Sequence, residues 1–240
     1  MNLIIDIGNT SQKIALIENE QIVLTLRLSG FTAMEKFIGE LEQPVNKAII
    51  STVRDVPDSV KSMIQRVAGC LHHLTHNSSF PFSIDYQTPE TLGMDRLAAI
   101  AGAYNKYADR NVLVIDAGTA ITYDLLINGT YSGGAISPGV EIRFRALGNF
   151  TGRLPMVERN DDTDFPARST SSGINCGVVN GIVYEINEYI RNFIKIYPDG
   201  LVIMTGGDSD YLAAKTATRM TVDPDLVIRG LNFILEYNAH

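Results

Sequence analysis

The chain has 240 residues, of which 45% are hydrophobic and 20% are charged, and its formal net charge is −7. This length and balance fit one large domain or two small lobes with a sizeable core, and they exclude a disordered chain. The sequence has no basic run. That argues against a general nucleic-acid binder, because neutralising phosphates requires clustered lysines and arginines.

Compartment signals point to a reducing environment. The N-terminal apolar run lacks a preceding basic region and is interrupted by Asp6, so we expect no signal peptide. No stretch approaches the ~20 uninterrupted apolar residues of a membrane helix. Cys70 and Cys176 form no spaced pair. Together these features predict a cytoplasmic protein with no membrane partner.

The first half of the chain alternates between predicted strands and helices. Three strands come first, followed by a short helix, a buried strand, a second helix and another strand. We predict them at 2–7, 12–18, 21–28, 32–42, 47–52, about 58–68 and about 70–75. A strong helix at 93–107 then leads into the second half, and we place the lobe boundary near residue 108.

The second half repeats this order. Its strands and helices are predicted at 111–116, 119–127, 130–136, about 140–148, 179–197, 201–205, about 208–216 and 224–237. The helix from Val179 to Tyr197 has the clearest pattern, with apolar residues at i, i+3, i+4 and i+7 spacing. Two successive βββ-α-β-α units predict an α/β fold with duplicated lobes, at 1–108 and 109–240.

Each half opens with a strand that ends in Asp-x-Gly. Asp6 precedes Gly8 in "LIIDIGNTSQK", and Asp116 precedes Gly118 in "NVLVIDAGTA". A tight turn exposes backbone N–H groups, and glycine lets a phosphate approach them closely. Hydroxyl donors are available at Thr10, Ser11 and Thr119. A single copy would be an ordinary turn, whereas two copies in equivalent places favour phosphate binding.

The two carboxylates and a third glycine turn extend this interpretation. We expect Asp6 and Asp116 to face the same ligand. Carboxylates beside a polyphosphate require intervening cations, usually Mg²⁺. The segment "MTGGDSD" follows a buried strand, and the carboxyl ends of strands are where α/β folds hold nucleotides. Gly206 and Gly207 would leave room there for a base or ribose.

The segment "GMDR" opens the helix that joins the halves. Asp95 in its first turn would stay ionised beside the helix N-terminus, which suits a carboxylate that accepts a proton from a substrate hydroxyl. Arg96 can form a two-pronged hydrogen bond to a substrate carboxylate. From spacing alone, an alternative is equally good: Asp95 caps the helix and Arg96 is a solvated surface charge.

Other chemistries fit the sequence less well. A zinc site at Cys70 to His76 is disfavoured, because His72 and His73 on a strand point to opposite faces. Both the Gly-x-Ser-x-Gly elbow of hydrolases and the Walker A loop are absent. The roles of Asp124, Arg143 and Arg145 stay open.

Taken together, the three turns resemble the acetate and sugar kinase, heat-shock chaperone and actin superfamily. Its members bind ATP in a cleft between two duplicated ribonuclease-H-like lobes. The segments "PETLGMDRLAAIAGAY", "DAGTAITYD", "GGAISPG" and "RLPMV" further resemble type III pantothenate kinase. This resemblance runs from Asp6 to the last helix. It implies ATP-dependent phosphorylation of pantothenate to 4′-phosphopantothenate, the first step of coenzyme A biosynthesis.

The resemblance also implies roles for individual residues. Asp95 would be the catalytic base, and Asp116 would hold a monovalent cation, K⁺ or NH₄⁺. The ATP-binding residues would be Asp6, Ile7, Gly8, Asn9, Thr10, Ser11, Gln12, Lys13 and Thr119, with Asp6 also a candidate Mg²⁺ ligand. Pantothenate would contact Tyr86, Gly93, Met94, Asp95, Arg96 and Thr170. The family further implies a homodimer.

Two rival functions remain at the level of sequence. A kinase of the same superfamily acting on another small hydroxy acid or sugar would keep the ATP motifs and change the contacts around 86–96 and 170. A non-catalytic relative that acts in gene regulation would be expected to lose Asp95 or the phosphate turns. Both features are present here.

Overall fold

A computed structural model describes residues 1 to 239. These residues form two compact units. The first comprises Met1–Ala108, Gly129–Tyr131 and the segment from Asp225 onward, and the second comprises Asp109–Asn128 and Ser132–Pro224. The final helix is therefore part of the first unit, although it is last in sequence.

The elements up to residue 107 follow the predicted order, with ends that differ by a few residues. They are β1 (Asn2–Ile7), β2 (Gln12–Glu18), β3 (Gln21–Leu28), α1 (Phe31–Gly39), β4 (Val45–Thr52), α2 (Asp58–Val67), β5 (Ala68–His73), β6 (Ser83–Ile84) and α3 (Met94–Tyr107). The short β6 and a 3-10 turn at Pro89–Thr91 were not predicted, because pieces of two or three residues carry no periodic pattern.

The remaining elements also follow the predicted order, apart from a short strand at Thr221–Val222 that was not predicted. They are β7 (Val112–Ala117), β8 (Ala120–Ile127), β9 (Thr130–Pro138), α4 (Val140–Phe150), α5 (Thr170–Ile196), β10 (Leu201–Thr205), α6 (Ser209–Lys215), β11 (Thr221–Val222) and α7 (Leu226–Asn238). Helix α5 begins at Thr170, well before the periodic residues that predicted it. A capping box between Ser169 and Ser172 fixes the start of the helix, and the first helical turn is rich in serine and glycine.

The two sheets share one strand order. The first runs β3-β2-β1-β4-β5, and the second contains β9-β8-β7-β10-β11. In each, an antiparallel hairpin is followed by parallel strands. The two halves of the sequence, which repeat the same series of elements, therefore fold into sheets with the same strand order. The short β6 pairs in parallel with Thr130 and Tyr131, which belong to the same unit as β6.

Both sheets contain a tight turn built from residues with left-handed backbone. Asn19 and Glu20 have φ values of 49° and 65° between β2 and β3, and Asn128 and Gly129 have φ values of 48° and 72° between β8 and β9. Two-residue turns of this hand match the twist of the strands they join. This geometry favours the asparagines at positions 19 and 128 and the glycine at 129, whereas Glu20 adopts it without such a preference.

The core of the first unit determines the direction in which Asp6 points. Ile5 and Ile7 of β1 pack in a buried cluster with Met34 of α1 and Ile64 of α2. Side chains alternate along a strand. Asp6 therefore faces the opposite side of the sheet.

The second unit repeats this arrangement. Ile115 and Ala117 of β7 join a buried cluster with residues of α5 such as Val179 and Ile186. By the same alternation, Asp116 lies on the other face of its sheet.

Helices α3 and α7 approach each other closely within the first unit. A Cβ at Gly102 would clash with the carbonyl oxygen of Leu226, and one at Gly230 would clash with the carbonyl oxygen of Ala98. The two glycines therefore fix the position of α7 against α3. None of the helices in residues 1 to 239 is long and apolar enough to cross a membrane.

Candidate active site

Asp6 occupies the middle of a polar row across the first sheet. The strand register places Lys13 of β2 opposite it on one side and Ser51 of β4 on the other. Residues directly opposite each other share a sheet face. A carboxylate, an ammonium and a hydroxyl thus line the face that points away from the α1 and α2 core.

Asp6 and Asp95 share one electrostatic environment. Burial, and to a smaller extent the charge of Asp95, raise the pKa of Asp6 from its ordinary 3.8 to about 6, although the charge of Lys13 and a hydrogen bond from Ser51 act in the opposite direction. Asp6 belongs to the first strand and Asp95 to α3. The fold therefore brings together two carboxylates that the sequence separates by nearly ninety positions.

The turn after Asp6 is exposed at its centre, and the residues that flank it are buried. The Gly8 N–H donates to the Ser11 carbonyl over 3.0 Å, and Asn9, Thr10 and Ser11 are exposed. Ile7 and Gln12 are fully buried, so only their main chain can reach a ligand.

Gln12 anchors the base of this turn. Its amide accepts a hydrogen bond from Arg54 Nη2 over 2.8 Å and donates one to the Gly30 carbonyl over 2.9 Å. Both of its polar atoms are satisfied inside the unit, which holds the start of β2 in place.

Asp95 does not occupy the N-cap position of α3. The residue at the N-cap of α3 is Gly93, which makes no side-chain capping bond. The Asp95 Oδ1 atom accepts from the Arg96 backbone N–H over 2.9 Å. A Cβ at position 93 would lie 2.5 Å from Asp95 Oδ1, so glycine is required for this carboxylate position. Asp95 is therefore not the N-cap residue, although its carboxylate satisfies one of the otherwise unpaired N–H groups in the first turn.

Arg96 is buried, so the alternative of a solvated surface charge is wrong. It is 6% exposed, and its guanidinium carbon lies 5.9 Å from the ring centroid of Tyr131. The ring of Tyr86 lies 6.0 Å from the same ring, and the Asp85 N–H donates to the Tyr131 carbonyl over 2.9 Å. The fold therefore brings Tyr86 and Arg96 to one buried tyrosine.

The second Asp-x-Gly turn is in contact with the third glycine turn. Gly206 has a φ of 97°, and a Cβ there would clash with Asp116 Oδ1 and lie 2.5 Å from the carbonyl carbon of Ala117. The Asp208 N–H donates to the Ala117 carbonyl over 2.9 Å. The segments "DAGT" and "GGDSD" thus form one structure at the carboxyl ends of β7 and β10.

The surroundings of Asp116 offer oxygen donors suited to a hard cation. Thr205 pairs with Asp116 in the register of β10 and β7. Its Oγ1 atom is buried and has no hydrogen-bond partner within residues 1 to 239. Carboxylate, hydroxyl and carbonyl oxygens are the ligands that Mg²⁺ and alkali cations prefer. Within that part of the chain, no group of three or more His, Cys, Asp or Glu residues could hold a metal, so a bound cation would need water or substrate oxygens as well.

Thr119 is exposed beside this structure. The Gly139 N–H donates to the Thr119 carbonyl over 3.0 Å, and a Cβ at Gly139 would lie 2.9 Å from the Thr119 carbonyl carbon. The loop before α4 therefore holds the turn by its main chain.

Thr170 is the first residue of α5 and lines a cavity of about 520 Å³. Apolar residues and Arg143 line the same cavity. Arg143 is held by Glu185, at 2.6 Å between Nη2 and Oε2, and by the Pro138 carbonyl at 2.8 Å from Nε. The guanidinium is therefore fixed at the edge of the cavity.

Glu185 joins Arg143 to a buried tyrosine. Tyr123 OH donates to Glu185 Oε1 over 2.8 Å, and the ring of Tyr123 stacks on that of Tyr189 at 3.9 Å. Burial opposes ionisation of Glu185, but hydrogen bonds from Arg143, Tyr123 and Ser137 outweigh it and hold the pKa of Glu185 below its usual range.

Sequence reasoning missed one residue beside the polar row. The Lys13 Nζ atom lies 2.8 Å from Asp225 Oδ1, and Asp225 immediately precedes α7. No local motif relates two residues 212 positions apart. This ion pair could have been predicted only from the knowledge that α7 packs against the first sheet.

The sheet order and paired turns define a two-sheet α/β fold that is also found in solved sugar kinases. In agreement, the structure resembles inorganic polyphosphate/ATP-glucomannokinase from Arthrobacter sp. strain KM over the full length of both chains, with a TM-score of 0.51 and 15% identity. A crystal structure from Campylobacter jejuni, named for the Baf family of transcriptional activators, has a TM-score of 0.64 and 25% identity, covering 99% of this chain and 98% of that one.

The chain belongs to the type III pantothenate kinase family. The model of that family matches residues 2–192. A type III pantothenate kinase from Bacteroides fragilis (strain YCH46) is 40% identical over 241 residues, covering 99% of this chain and 98% of the relative.

Proposed function

We propose that this protein transfers the γ-phosphoryl group of ATP to the primary hydroxyl of pantothenate, which yields 4′-phosphopantothenate for coenzyme A biosynthesis. The observation that carries the proposal is the row of Lys13, Asp6 and Ser51 across the first sheet, where the charge of Asp95 also acts on Asp6. Asp6 and Asp95 each belong to a family motif, one for the nucleotide and one for the acceptor. Membership of the type III pantothenate kinase family supports the choice of acceptor.

The phosphate chain is assigned to the exposed turn after Asp6. Asn9, Thr10 and Ser11 offer main-chain N–H groups and side-chain donors at the tip, and Ile7 and Gln12 support them from the core. Lys13 supplies positive charge beside Asp6. Phosphoryl transfer depends mainly on such positioning and charge neutralisation.

Asp95 is assigned the role of base. The substrate oxygen forms its bond to the γ-phosphorus as the bond from that phosphorus to the β,γ-bridging oxygen breaks. The hydroxyl proton passes to the Asp95 carboxylate, and ADP leaves. The helix N-terminus and the Arg96 N–H hold this carboxylate in place. Gly93 and Met94 present their main chain to the acceptor at the same helix start.

Arg96 is assigned to the carboxylate of pantothenate. Its burial against Tyr131 supports this role, because a desolvated guanidinium binds a carboxylate more strongly than an exposed one. Tyr86, whose ring lies 6.0 Å from that of Tyr131, would form a wall beside the substrate. Thr170 is assigned to the substrate as well, as a hydroxyl donor exposed at the start of α5.

Two kinds of cation accompany the nucleotide in this proposal. A divalent metal, which we take to be Mg²⁺, would bind phosphate oxygens with Asp6 nearby. A monovalent cation, K⁺ or NH₄⁺, would bind Asp116 and neighbouring oxygens. Bound cations neutralise negative charge on the transferring phosphoryl group. The buried Thr205 hydroxyl supports a cation beside Asp116.

We also propose a homodimer in the cytoplasm. The family resemblance implies the dimer, and the second unit exposes several large apolar side chains that are available to an interface. They are Ile136, Ile142, Phe150, Met156, Phe165 and Tyr184. Two free cysteines fit a reducing compartment. Sedimentation velocity at several concentrations tests the dimer, and a monomer at micromolar concentration would contradict it.

A second candidate function is regulation without catalysis, suggested by the name of the Campylobacter jejuni structure. The presence of both Asp-x-Gly turns and of Asp95 favours the kinase. An assay of ADP release against pantothenate and a panel of other hydroxy acids and sugars separates the candidates. Release that depends on pantothenate alone supports the proposal. Release with another acceptor, or with none, contradicts it.

A further inference from the structure

We propose that Asp225 is a positioning residue of the phosphoryl-transfer site, holding the Lys13 ammonium beside the phosphate turn. The inference rests on the proposed function, because it assigns Lys13 to the nucleotide. Asp225 lies outside every motif that the sequence identified.

The contact itself is well formed. Lys13 Nζ and Asp225 Oδ1 are 2.8 Å apart, with 16% of the lysine side chain and 32% of the aspartate side chain exposed. Lys13 pairs directly with Asp6 in the register of β1 and β2. The ammonium therefore lies between a strand carboxylate of the turn and the carboxylate at the start of α7.

Asp225 is held rigidly where it stands. Its carbonyl accepts from the Arg229 N–H over 2.9 Å in the first turn of α7. The next residue, Leu226, has its carbonyl oxygen directly against Gly102 of α3. Because α3 also carries Asp95 at its start, the anchor of Lys13 and the proposed base are attached to the same helix pair.

A lysine needs such an anchor more than an arginine does. Its ammonium is a point charge on a flexible four-carbon stem, and rotamer freedom must be lost before it can meet a phosphate in one geometry. A partly exposed ion pair adds little to the stability of a fold. Pre-organisation of Lys13 is therefore the larger effect to expect from Asp225.

The test measures the dissociation constant of Mg²⁺ with a non-hydrolysable ATP analogue, together with the KM values for ATP and for pantothenate. Asp225→Asn keeps the shape and removes the charge. We expect a five- to tenfold weaker analogue affinity and a similar rise in the KM for ATP, with the KM for pantothenate within twofold of wild type. Asp225→Glu should restore most of the affinity.

A double-mutant cycle shows whether Asp225 acts through Lys13. Lys13→Met should weaken analogue binding at least as much as Asp225→Asn, and adding Asp225→Asn to it should change the affinity by less than twofold. Additive effects would overturn the proposal, as would an unchanged affinity in Asp225→Asn.

Glu236→Gln is the matched control. It removes the ion pair from Glu236 to Lys47, 2.6 Å long, which also joins α7 to the first sheet. This variant should bind the analogue within twofold of wild type. An equal loss of affinity in Glu236→Gln would show that any loosening of α7 weakens nucleotide binding, and would overturn a specific role for Asp225.

If wild type bound no nucleotide, the proposed function itself would fail. An active wild type with an uncoupled Asp225 would remove this inference alone.

Discussion

The carboxylate of Asp116 lies directly against Gly206, two residues that belong to different turns of the second unit. Gly206 combines a left-handed φ of 97° with a position where any Cβ would clash with Asp116 Oδ1. Each property alone favours glycine, and together they exclude other residues. The proposed cation site and the proposed nucleotide turn therefore depend on one contact.

Gly206→Ala tests that contact. We expect a loss of about 1–3 kcal/mol in the free energy of unfolding from backbone strain, and loss of nucleotide binding as Asp116 is displaced. Urea denaturation and analogue titration measure the two effects. Gly152→Ala is the control, because nothing lies within 4 Å of a Cβ there. Equal behaviour of the two variants would contradict the role of the contact.

Asp6→Asn should stabilise the protein at neutral pH while abolishing turnover. The pKa of Asp6 in the fold, about 6, exceeds the ordinary value of 3.8. Stability linked to this group is therefore fully present below pH 3.8 and is lost as the pH rises through 6. Removing the charge should raise the free energy of unfolding by about 1–3 kcal/mol at pH 7.5. The gain should shrink toward zero at pH 4, as followed by urea denaturation. A gain that does not change with pH would contradict this explanation.

Tyr123→Phe tests the buried network in the second unit. Removing the hydroxyl leaves Glu185 Oε1 without its 2.8 Å donor, and we expect a loss of about 1–2 kcal/mol at neutral pH. Because the pKa of Glu185 is lowered in the fold, the stabilisation exists above its ordinary value of 4.5 and is lost as the pH falls through the folded value. The loss on mutation should therefore be smaller at pH 3.5. Thermal unfolding scans at pH 7 and pH 3.5 measure this loss. In the same scans Tyr189→Phe, which keeps the ring stacked on Tyr123, should have little effect.

Asp116→Asn tests the proposed monovalent cation. The wild type should turn over faster and melt at a higher temperature in KCl than in tetramethylammonium chloride of equal ionic strength. The variant should lose both differences, because a neutral amide binds a cation weakly, and its kcat/KM should fall at least tenfold. Equal activity of the wild type in both salts would contradict a cation requirement.

The strands, helices and turns of the fold were largely predictable, because each is determined by a pattern within a short stretch of sequence. The alternating strands, the two-residue turn at Asn19 and Glu20 and the repeated Asp-x-Gly motif each occupy a short window of sequence. The common strand order of the two sheets follows from the duplication. The early start of α5 was not predictable from periodicity, because the turn after Thr170 is polar and a capping box determines where the helix begins.

The candidate site was only partly predictable, because burial and long-range pairing leave no local mark. Spacing alone could not decide whether Arg96 is solvated, and the fold buries it against Tyr131. The ion pair between Lys13 and Asp225 depends on α7 returning to the first sheet, which no motif encodes. The roles of individual residues in binding ATP, pantothenate and cations stay predictions.

The most direct test of the central claim is pantothenate-dependent ADP release by Asp95→Asn. The proposed base is lost with almost no change in shape, so we expect kcat to fall at least a hundredfold, within the range for removing a general base. Affinity for the ATP analogue should stay within threefold of wild type, and the melting temperature should show that the variant is folded. Full turnover by the asparagine variant would contradict the account.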